Sequence, residues 1–156
     1  MNQQFKSSLY LLMIGSMLTN VAFAADWNTN KDNVVLDGHD VVAYHALDKS
    51  IKGSAMFQTE YDGVRFFFSN AGNQAAFSKE PQKYVPKYNG YCAFAVSAKN
   101  AKVPANADTF KIYNGELLVF FNDDYEGQKF NTKIPWNADE KSMYSSAQKN
   151  WMNLSK

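Results

Sequence analysis

Residues 57–68 read FQTEYDGVRFFF, two aromatic, β-favouring segments on either side of Asp62-Gly63. A two-residue type I′ turn needs positive φ at both central residues, and an Asp-Gly pair meets that need at low cost. The same arrangement recurs at residues 110–121, FKIYNGELLVFF, around Asn114-Gly115. The sequence therefore predicts two β-hairpins that build a small antiparallel sheet.

Short helices are expected around the first hairpin. Asp40 precedes residues 41–47 and is a suitable N-cap for a helix there. Asn70 follows the hairpin and is placed to cap a helix that Pro81 closes, with one further turn expected at residues 81–85. These elements alternate irregularly with the strands, which favours an α+β fold over a doubly wound sheet.

Two more helices are predicted near the C-terminus. Asp123 or Asp124 is placed to cap a helix reaching Phe130, and a last helix begins near Pro135 or Asn137 and runs to Met152. The last helix carries one stripe of larger residues spaced three or four apart: Met143, Tyr144, Ala147, Trp151 and Leu154. No internal repeat is visible in the chain.

The N-terminus has the pattern of a cleavable signal peptide. Lys6 precedes an apolar run at residues 9–18, and Ala22-Phe23-Ala24 matches the small-x-small cleavage pattern. The run is about ten residues, roughly half of what a membrane-spanning helix needs. We predict a signal peptide at residues 1–24 and one exported domain at residues 25–156, periplasmic or secreted and without membrane insertion after cleavage. Within it we expect a core at residues 34–98 and a C-terminal hairpin and helix at residues 107–154.

Charge excludes some partner classes. The chain has 16 Lys plus Arg against 15 Asp plus Glu, a formal net charge of +1. Phosphate backbones and anionic lipid surfaces attract a surplus of positive charge, which this chain does not have. Nucleic acid is therefore not an expected partner.

Several stretches together resemble the YHS domain family. The family pattern is a Tyr-x-Gly hairpin, a Phe that ends its second strand, a short helix bearing a Phe, and x-Pro-x-Lys-Tyr, and it is matched at residues 61–69, 70–77 and 80–84. Residues 37–44, DGHDVVAY, and 88–93, YNGYCA, are similar to the exported, single-domain branch of that family, and this resemblance continues to Asn150-Trp151.

The resemblance implies a link to metal handling, since short YHS modules are attached to copper-transporting ATPases and other metal-handling proteins. Paired Cys are the suspected ligands in those modules, but here the corresponding positions are Ser69 and Asn73. Hydroxyl and amide groups are poor ligands for Cu(I) and Zn, which thiolates bind well. The usual metal site of the family is therefore predicted to be missing, and the exported branch instead keeps one Cys, here Cys92.

Cys92 is the only cysteine of the chain, so no disulfide can form within it. A single thiol in an exported protein is buried, pairs with another molecule, or binds something. Its apolar neighbours favour burial, because free Cys is among the residue types most often buried. Both interpretations, a buried side chain and a reactive or metal-binding thiol for copper or zinc, stay open.

The two histidines of the chain are His39 and His45. A gap of six residues on an extended strand separates them by roughly 20 Å, too far for one shared metal. His39 lies beside a turn and next to Asp40, so it is the first candidate for a second metal ligand beside Cys92. His45 is the next candidate. The sequence does not show that Cys92 and His39 meet.

Asp40, Tyr44 and Tyr91 are candidate ligand-binding residues, because an acid near aromatic rings suits a small-ligand pocket. Asp40 as a helix cap is the simpler interpretation. The sequence has no Gly-x-Ser-x-Gly, His-Glu-x-x-His, phosphate-binding glycine loop or Cys-x-x-Cys.

We therefore predict binding rather than catalysis, although a Cys92–His pair leaves an enzyme formally open. The leading hypothesis is metal handling or sensing through Cys92. The alternatives are a thiol-redox protein that uses Cys92, and a domain that binds a small ligand or a protein partner.

Overall fold

The computed structural model describes residues 25–156, so the predicted signal peptide at residues 1–24 lies outside the described part. The fold is α+β, as predicted. Its helices are α1 (Val41–Leu47), α2 (Ala71–Lys79), α3 (Pro81–Tyr84), α4 (Ala93–Lys99), α5 (Lys133–Ala138) and α6 (Glu140–Leu154). Its strands are β1 (Ser54–Tyr61), β2 (Val64–Phe68), β3 (Asn106–Tyr113), β4 (Glu116–Phe120), β5 (Asn122–Tyr125) and β6 (Gln128–Asn131).

Both predicted hairpins are present, and their turns have the predicted geometry. Asp62 and Gly63 have φ of 51° and 78°, and Asn114 and Gly115 have φ of 52° and 77°. Positive φ at both central residues is the condition for a type I′ turn. The hairpins do not share one sheet, however: β1–β2 and β3–β4 are separate two-stranded antiparallel sheets.

The predicted helix caps of the N-terminal half are confirmed. The side chain of Asp40 accepts hydrogen bonds from the backbone N–H groups of Val42 and Ala43 at the start of α1. Asn70 caps α2 by accepting from the backbone N–H of Asn73. These side chains satisfy backbone donors that have no partner inside the helix.

The predicted helix from Asp123 or Asp124 to Phe130 is wrong, because this segment is a third hairpin, β5–β6. Its turn residues Glu126 and Gly127 have φ of 52° and 80°. Gly is a poor helix-interior residue and supplies positive φ at no steric cost, so the local chemistry favours the turn. Asp–Gly and Asn–Gly pairs indicate such a turn more strongly than Glu–Gly does, which is why the sequence did not predict a hairpin here.

The C-terminal helices confirm the predicted stripe. The chain forms α5 and then α6, with Asp139 between them in a non-helical conformation (φ −148°, ψ 57°). All five stripe residues belong to one apolar cluster: Met143, Tyr144, Ala147, Trp151 and Leu154.

The chain contains an internal structural duplication that the sequence analysis did not detect. The pairing of β1 with β2 recurs in β3 with β4 at positions 52 residues later, including the irregularity near the start of the first strand. A turn with positive φ at Asp37 and Gly38 recurs at Asn89 and Gly90. We call residues 34–70 the first repeat unit and residues 86–122 the second repeat unit.

Contacts outside the hairpins follow the same offset. The N–H of Asp40 donates to the carbonyl of Ile51 at 2.8 Å, and the N–H of Cys92 donates to the carbonyl of Val103 at 2.9 Å. Isolated bridges pair Val34 with Arg65 and, in the second repeat unit, Pro86 with Leu117. Most equivalent positions carry different residues, so the repeat is visible in the hydrogen bonds and not in the amino-acid sequence.

Strand β4 joins the two apolar cores. Leu117 and Val119 belong to the cluster built mainly on the first repeat unit. Leu118 and Phe120 belong to the cluster that includes α4 and α6. Successive side chains of a strand point to opposite faces, so a strand buried on both faces can serve two cores.

Within residues 25–156, no helix combines the length and the apolar character needed to cross a membrane.

Candidate functional site

Asp40 and Cys92 occupy equivalent positions, each immediately before the first helix of its repeat unit. Oδ2 of Asp40 accepts from the backbone N–H of Ser69, just after β2, at 2.8 Å. Sγ of Cys92 accepts from the backbone N–H of Phe121, just after β4, at 3.2 Å. A carboxylate in one unit and a thiol in the other thus tie the helix start to the end of the hairpin.

The hydrogen bonds around Cys92 form a closed set. Thr132 Oγ1 donates its one proton to the carbonyl of Phe121 at 3.0 Å. The same hydroxyl oxygen lies 3.3 Å from Cys92 Sγ, so the thiol proton is donated to Thr132. Cys92 is completely buried. The thiol therefore uses its donor and one acceptor site within the protein.

The two repeat units differ in what lies over these two helix N-termini. In the first unit, the hydroxyl of Ser69 and the amide of Asn73 on α2 both donate to Asp40 Oδ2 at 2.7 Å. Asp40 is completely buried beneath them. The side chains of Ser69 and Asn73 thus converge on one carboxylate oxygen.

In the second unit, the chain forms the β5–β6 hairpin where the first unit has α2, and a cavity of about 730 Å³ adjoins the cap. We call it the Cys92 cavity. Its lining combines rings and aliphatic groups with a polar edge: Cys92, Phe94, Ala95, Lys99, Val103, Phe121, Tyr125, Glu126, Gln128, Lys129, Phe130 and Thr132.

Burial gives the Cys92 cavity an inner end and an outer edge. Cys92 and Thr132 are 0% and 4% exposed, whereas Tyr125 and Phe130 of the hairpin are 57% and 40% exposed. The ring of Phe130 lies edge-on to the ring of Phe94 on α4, with 6.4 Å between their centroids. The hairpin rings thus form the outer wall, and the thiol–hydroxyl pair forms the inner end.

His39 contacts Leu36 of the first repeat unit and Asp108 of the second, and neither is a partner of the Cys92 side chain. Its Nδ1 lies 2.8 Å from the carbonyl oxygen of Leu36, and its Nε2 lies 3.7 Å from Asp108 Oδ1. The hydrogen-bond partners of the Cys92 side chain are Phe121 and Thr132. Among residues 25–156, no group of three or more His, Cys, Asp or Glu side chains is arranged to hold a metal ion.

His45 packs in the first repeat unit, where its ring lies edge-on to the ring of Tyr84 at 5.5 Å between centroids. Its Nε2 is buried and has no hydrogen-bond partner within the described residues. Burial, and then the nearby ammonium of Lys83, lower the pKa of His45 below its ordinary value of 6.5. A neutral imidazole is thus favoured here.

The three candidate ligand-binding residues all bond to the protein itself. Asp40 is occupied by the donors described above, and Tyr44 is completely buried with its hydroxyl donating to the carbonyl of Ala107 at 2.7 Å. Tyr91 donates to Asp26 Oδ1 at 2.9 Å, and burial followed by this bond raises the pKa of Tyr91 to about 12. Neither Tyr44 nor Tyr91 lines the Cys92 cavity.

The sequence analysis missed Thr132 and the hairpin rings of Tyr125 and Phe130. Two signals could have found them: the turn pair Glu126-Gly127, and the 52-residue offset, which places Cys92 where Asp40 caps a helix. Of the predicted site residues, only Cys92 lies in the cavity.

Comparisons with protein-family models, curated proteins and solved structures found no match for this chain.

Proposed function

We propose that this protein is an exported, non-catalytic binding protein, similar to the YHS family, that holds a small and mainly apolar ligand in the Cys92 cavity. The observation that carries the proposal is the difference between the repeat units. Ser69 and Asn73 cover the cap of the first unit, whereas a cavity of about 730 Å³ adjoins the cap of the second.

The size and lining of the cavity support this ligand class. Small-molecule sites are clefts of about 300–1,000 Å³ with mainly apolar walls and a few polar groups. Here Phe94, Phe121 and Phe130 supply rings, and Lys99 and Lys129 supply charged groups. The thiol and hydroxyl at the inner end bond to each other, so the ligand gains its affinity from burial of apolar surface.

Metal handling through Cys92 is the second candidate function. The observation that favours it is that the only thiol of the chain lies, buried, at the inner end of a cavity, so a soft ion that displaced the atoms covering it would meet sulfur. Copper or zinc would then displace the thiol proton from Thr132 and take its remaining ligands from outside the present Cys92 contacts.

The binding proposal is tested with N-phenyl-1-naphthylamine, an uncharged apolar fluorophore. Phe130→Ala removes a wall of the cavity, and Met56→Ala is the matched control, because Met56 is 80% exposed and lies outside the cavity. We expect Phe130→Ala to weaken dye binding at least about five-fold, as expected for the loss of a ring that becomes buried on binding. Equal binding by both variants contradicts the proposal.

A second measurement places the dye. Cys92 is the only thiol, so 5,5′-dithiobis(2-nitrobenzoate) labels one position. We expect slow labelling of the native protein, because the side chain is completely buried, and slower labelling still when the dye occupies the cavity. A dye that binds without slowing the labelling lies elsewhere and removes the support for this site.

The metal candidate is tested on the same protein by measuring the retention of Cu(I) and Zn(II) by wild type and Cys92→Ser. Retention of about one equivalent by wild type and none by the variant establishes the metal function over the apolar-ligand function. If neither form retains metal, the metal candidate is discarded.

Mass spectrometry of the exported protein tests the signal peptide, with Ala25 as the expected first residue.

A further inference from the structure

A second concave site of about 740 Å³ lies between the two repeat units, and we call it the tryptophan groove. The turns of both type I′ hairpins reach it, through Asp62 and Gly115. Trp27 and Trp151 line it, with Trp27 only 9% exposed and Trp151 partly exposed. It shares no lining residue with the Cys92 cavity.

The carboxylates that line the tryptophan groove are held by donors from the protein. Trp27 Nε1 donates to Asp62 Oδ2 at 2.9 Å. Glu116 forms an ion pair with Lys87 at 2.6 Å and accepts a second hydrogen bond from the hydroxyl of Tyr144. Glu116 is thus paired with a cation, whereas Asp62 keeps its negative charge and is held by a neutral indole donor.

Two further lysines of the groove lie outside this ion pair. Lys83 on α3 and Lys149 on α6 line it. Within residues 25–156, neither lies in an ion pair with a carboxylate. Lys83 instead places its ammonium 5.2 Å from the centre of the Tyr84 ring. Three lysines (Lys83, Lys87 and Lys149) against two carboxylates (Asp62 and Glu116) leave the groove with a formal net charge of +1.

From this combination we infer that the tryptophan groove binds a small organic anion with a flat aromatic body. Aromatic side chains offer flat apolar surface to the body of the ligand, and stacked or edge-on rings are favoured contacts. The ammonium groups of Lys83 and Lys149 pair with its carboxylate, sulfonate or phosphate. The ammonium groups of Lys83 and Lys149 would repel a cationic ligand.

The experiment compares 2-naphthoate with 2-naphthamide, which have the same ring system and differ in charge. Calorimetric titration of the wild-type protein is expected to give tighter binding of the naphthoate, and added salt is expected to reduce the difference. Lys83→Gln/Lys149→Gln is expected to weaken naphthoate binding about five-fold and to leave naphthamide binding unchanged.

The matched control is Lys79→Gln/Lys141→Gln. Both lysines are exposed and lie outside the groove, on α2 and α6, so this variant removes the same charge from other places. We expect it to bind naphthoate as wild type does. Equal loss in the two double variants, or equal affinity for naphthoate and naphthamide, overturns the inference.

The position of the ligand is read from the three tryptophan indole N–H signals in nuclear magnetic resonance spectra, assigned with single Trp→Phe variants. Trp27 and Trp151 line the groove, whereas Trp136 is completely buried outside it. We expect naphthoate to shift the first two signals and not the third. Binding that leaves both groove tryptophans unshifted, or that Phe130→Ala abolishes, places the anion elsewhere and overturns the inference.

Discussion

At the start of α1, one buried carboxylate holds together three parts of the first repeat unit. Asp40 accepts from the backbone of the helix, from the backbone after β2, and from the side chains of Ser69 and Asn73. Five hydrogen bonds from the protein replace the bonds to water that this carboxylate loses on burial. The group is structural and has no capacity left for a ligand.

Replacing Asp40 with Asn tests this role. The amide would turn two donor hydrogens toward the N–H of Ser69 and the amide of Asn73, which then have no acceptor. We expect a loss of about 2–4 kcal/mol in the free energy of unfolding, measured by urea denaturation. Asp32→Asn is the control, because that side chain is 58% exposed and should change stability by less than about 0.5 kcal/mol. Similar effects of the two changes would show that the bonds to Asp40 contribute little.

Cys92 has a structural role that two substitutions separate from simple space filling. Cys92→Ser keeps a donor and an acceptor between Phe121 and Thr132, whereas Cys92→Ala removes both. We expect Cys92→Ala to be less stable than Cys92→Ser by about 1–2 kcal/mol in urea denaturation, because it leaves polar groups unpaired. An alanine variant as stable as the serine variant would mean that the thiol acts only as an apolar filler.

His45 is expected to make stability depend on pH. Its pKa is lowered in the folded protein, so the unfolded chain takes up a proton first as the pH falls through the ordinary value of 6.5. The free energy of unfolding should therefore fall below about pH 6.5 and stop falling, for this group, once the folded pKa is passed.

Urea denaturation at pH 7.5 and pH 5.5 checks this for wild type and His45→Phe, which keeps a ring and cannot titrate. The variant should lose less stability between the two pH values. Lys83→Gln should reduce the wild-type loss only in part, because burial is the larger cause of the shift. An unchanged pH dependence in His45→Phe would assign the effect to other groups.

At the scale of elements, the β5–β6 hairpin follows the second repeat unit where helix α2 follows the first. Its residues from Asp123 to Phe130 are exposed. Its two ends are held together beneath it, where Thr132 donates from its N–H to the carbonyl of Phe121 at 2.9 Å. The hairpin therefore projects from the fold as a wall of the Cys92 cavity.

Shortening the hairpin tests its role as a wall. Replacing residues 123–130 with Asn-Gly leaves the paired residues Asn122 and Asn131 joined by a two-residue turn. We expect a melting temperature within a few degrees of wild type, and labelling of Cys92 by 5,5′-dithiobis(2-nitrobenzoate) at least about ten-fold faster. The fully unfolded protein gives the upper limit of the rate. Unchanged labelling in a folded variant would show that other parts of the chain cover the thiol.

At the scale of the whole molecule, β4 decides whether the duplicated halves behave as one unit. All of Leu117, Leu118, Val119 and Phe120 are completely buried, and they alternate between the two apolar clusters. Loss of packing in either apolar cluster therefore destabilises the same strand, β4. Two repeats that share a strand in this way should unfold together.

Leu117→Ala and Leu118→Ala test this coupling, because each removes a buried side chain from a different cluster. We expect each to cost about 2–5 kcal/mol. In both variants tryptophan fluorescence and far-ultraviolet circular dichroism should follow one coincident transition in urea. Two separated transitions in either variant would mean that the clusters fold independently.

The sequence predicted the features that depend on a few neighbouring residues. The turns at Asp62-Gly63 and Asn114-Gly115 and the caps at Asp40 and Asn70 follow from backbone preferences and short side-chain bonds. The stripe on α6 follows from helical spacing. Such features need no knowledge of distant contacts, which is why the α+β fold could be predicted from them.

Only the tertiary structure decided where those elements meet. It separated the two hairpins into different sheets, turned the segment around Glu126-Gly127 into a third hairpin, and revealed the 52-residue offset. It placed Cys92 against Thr132, 40 positions along the chain, and gave His39 different neighbours. The physical reason is that a cavity depends on which surfaces pack together, and that packing depends on contacts between residues far apart in the sequence.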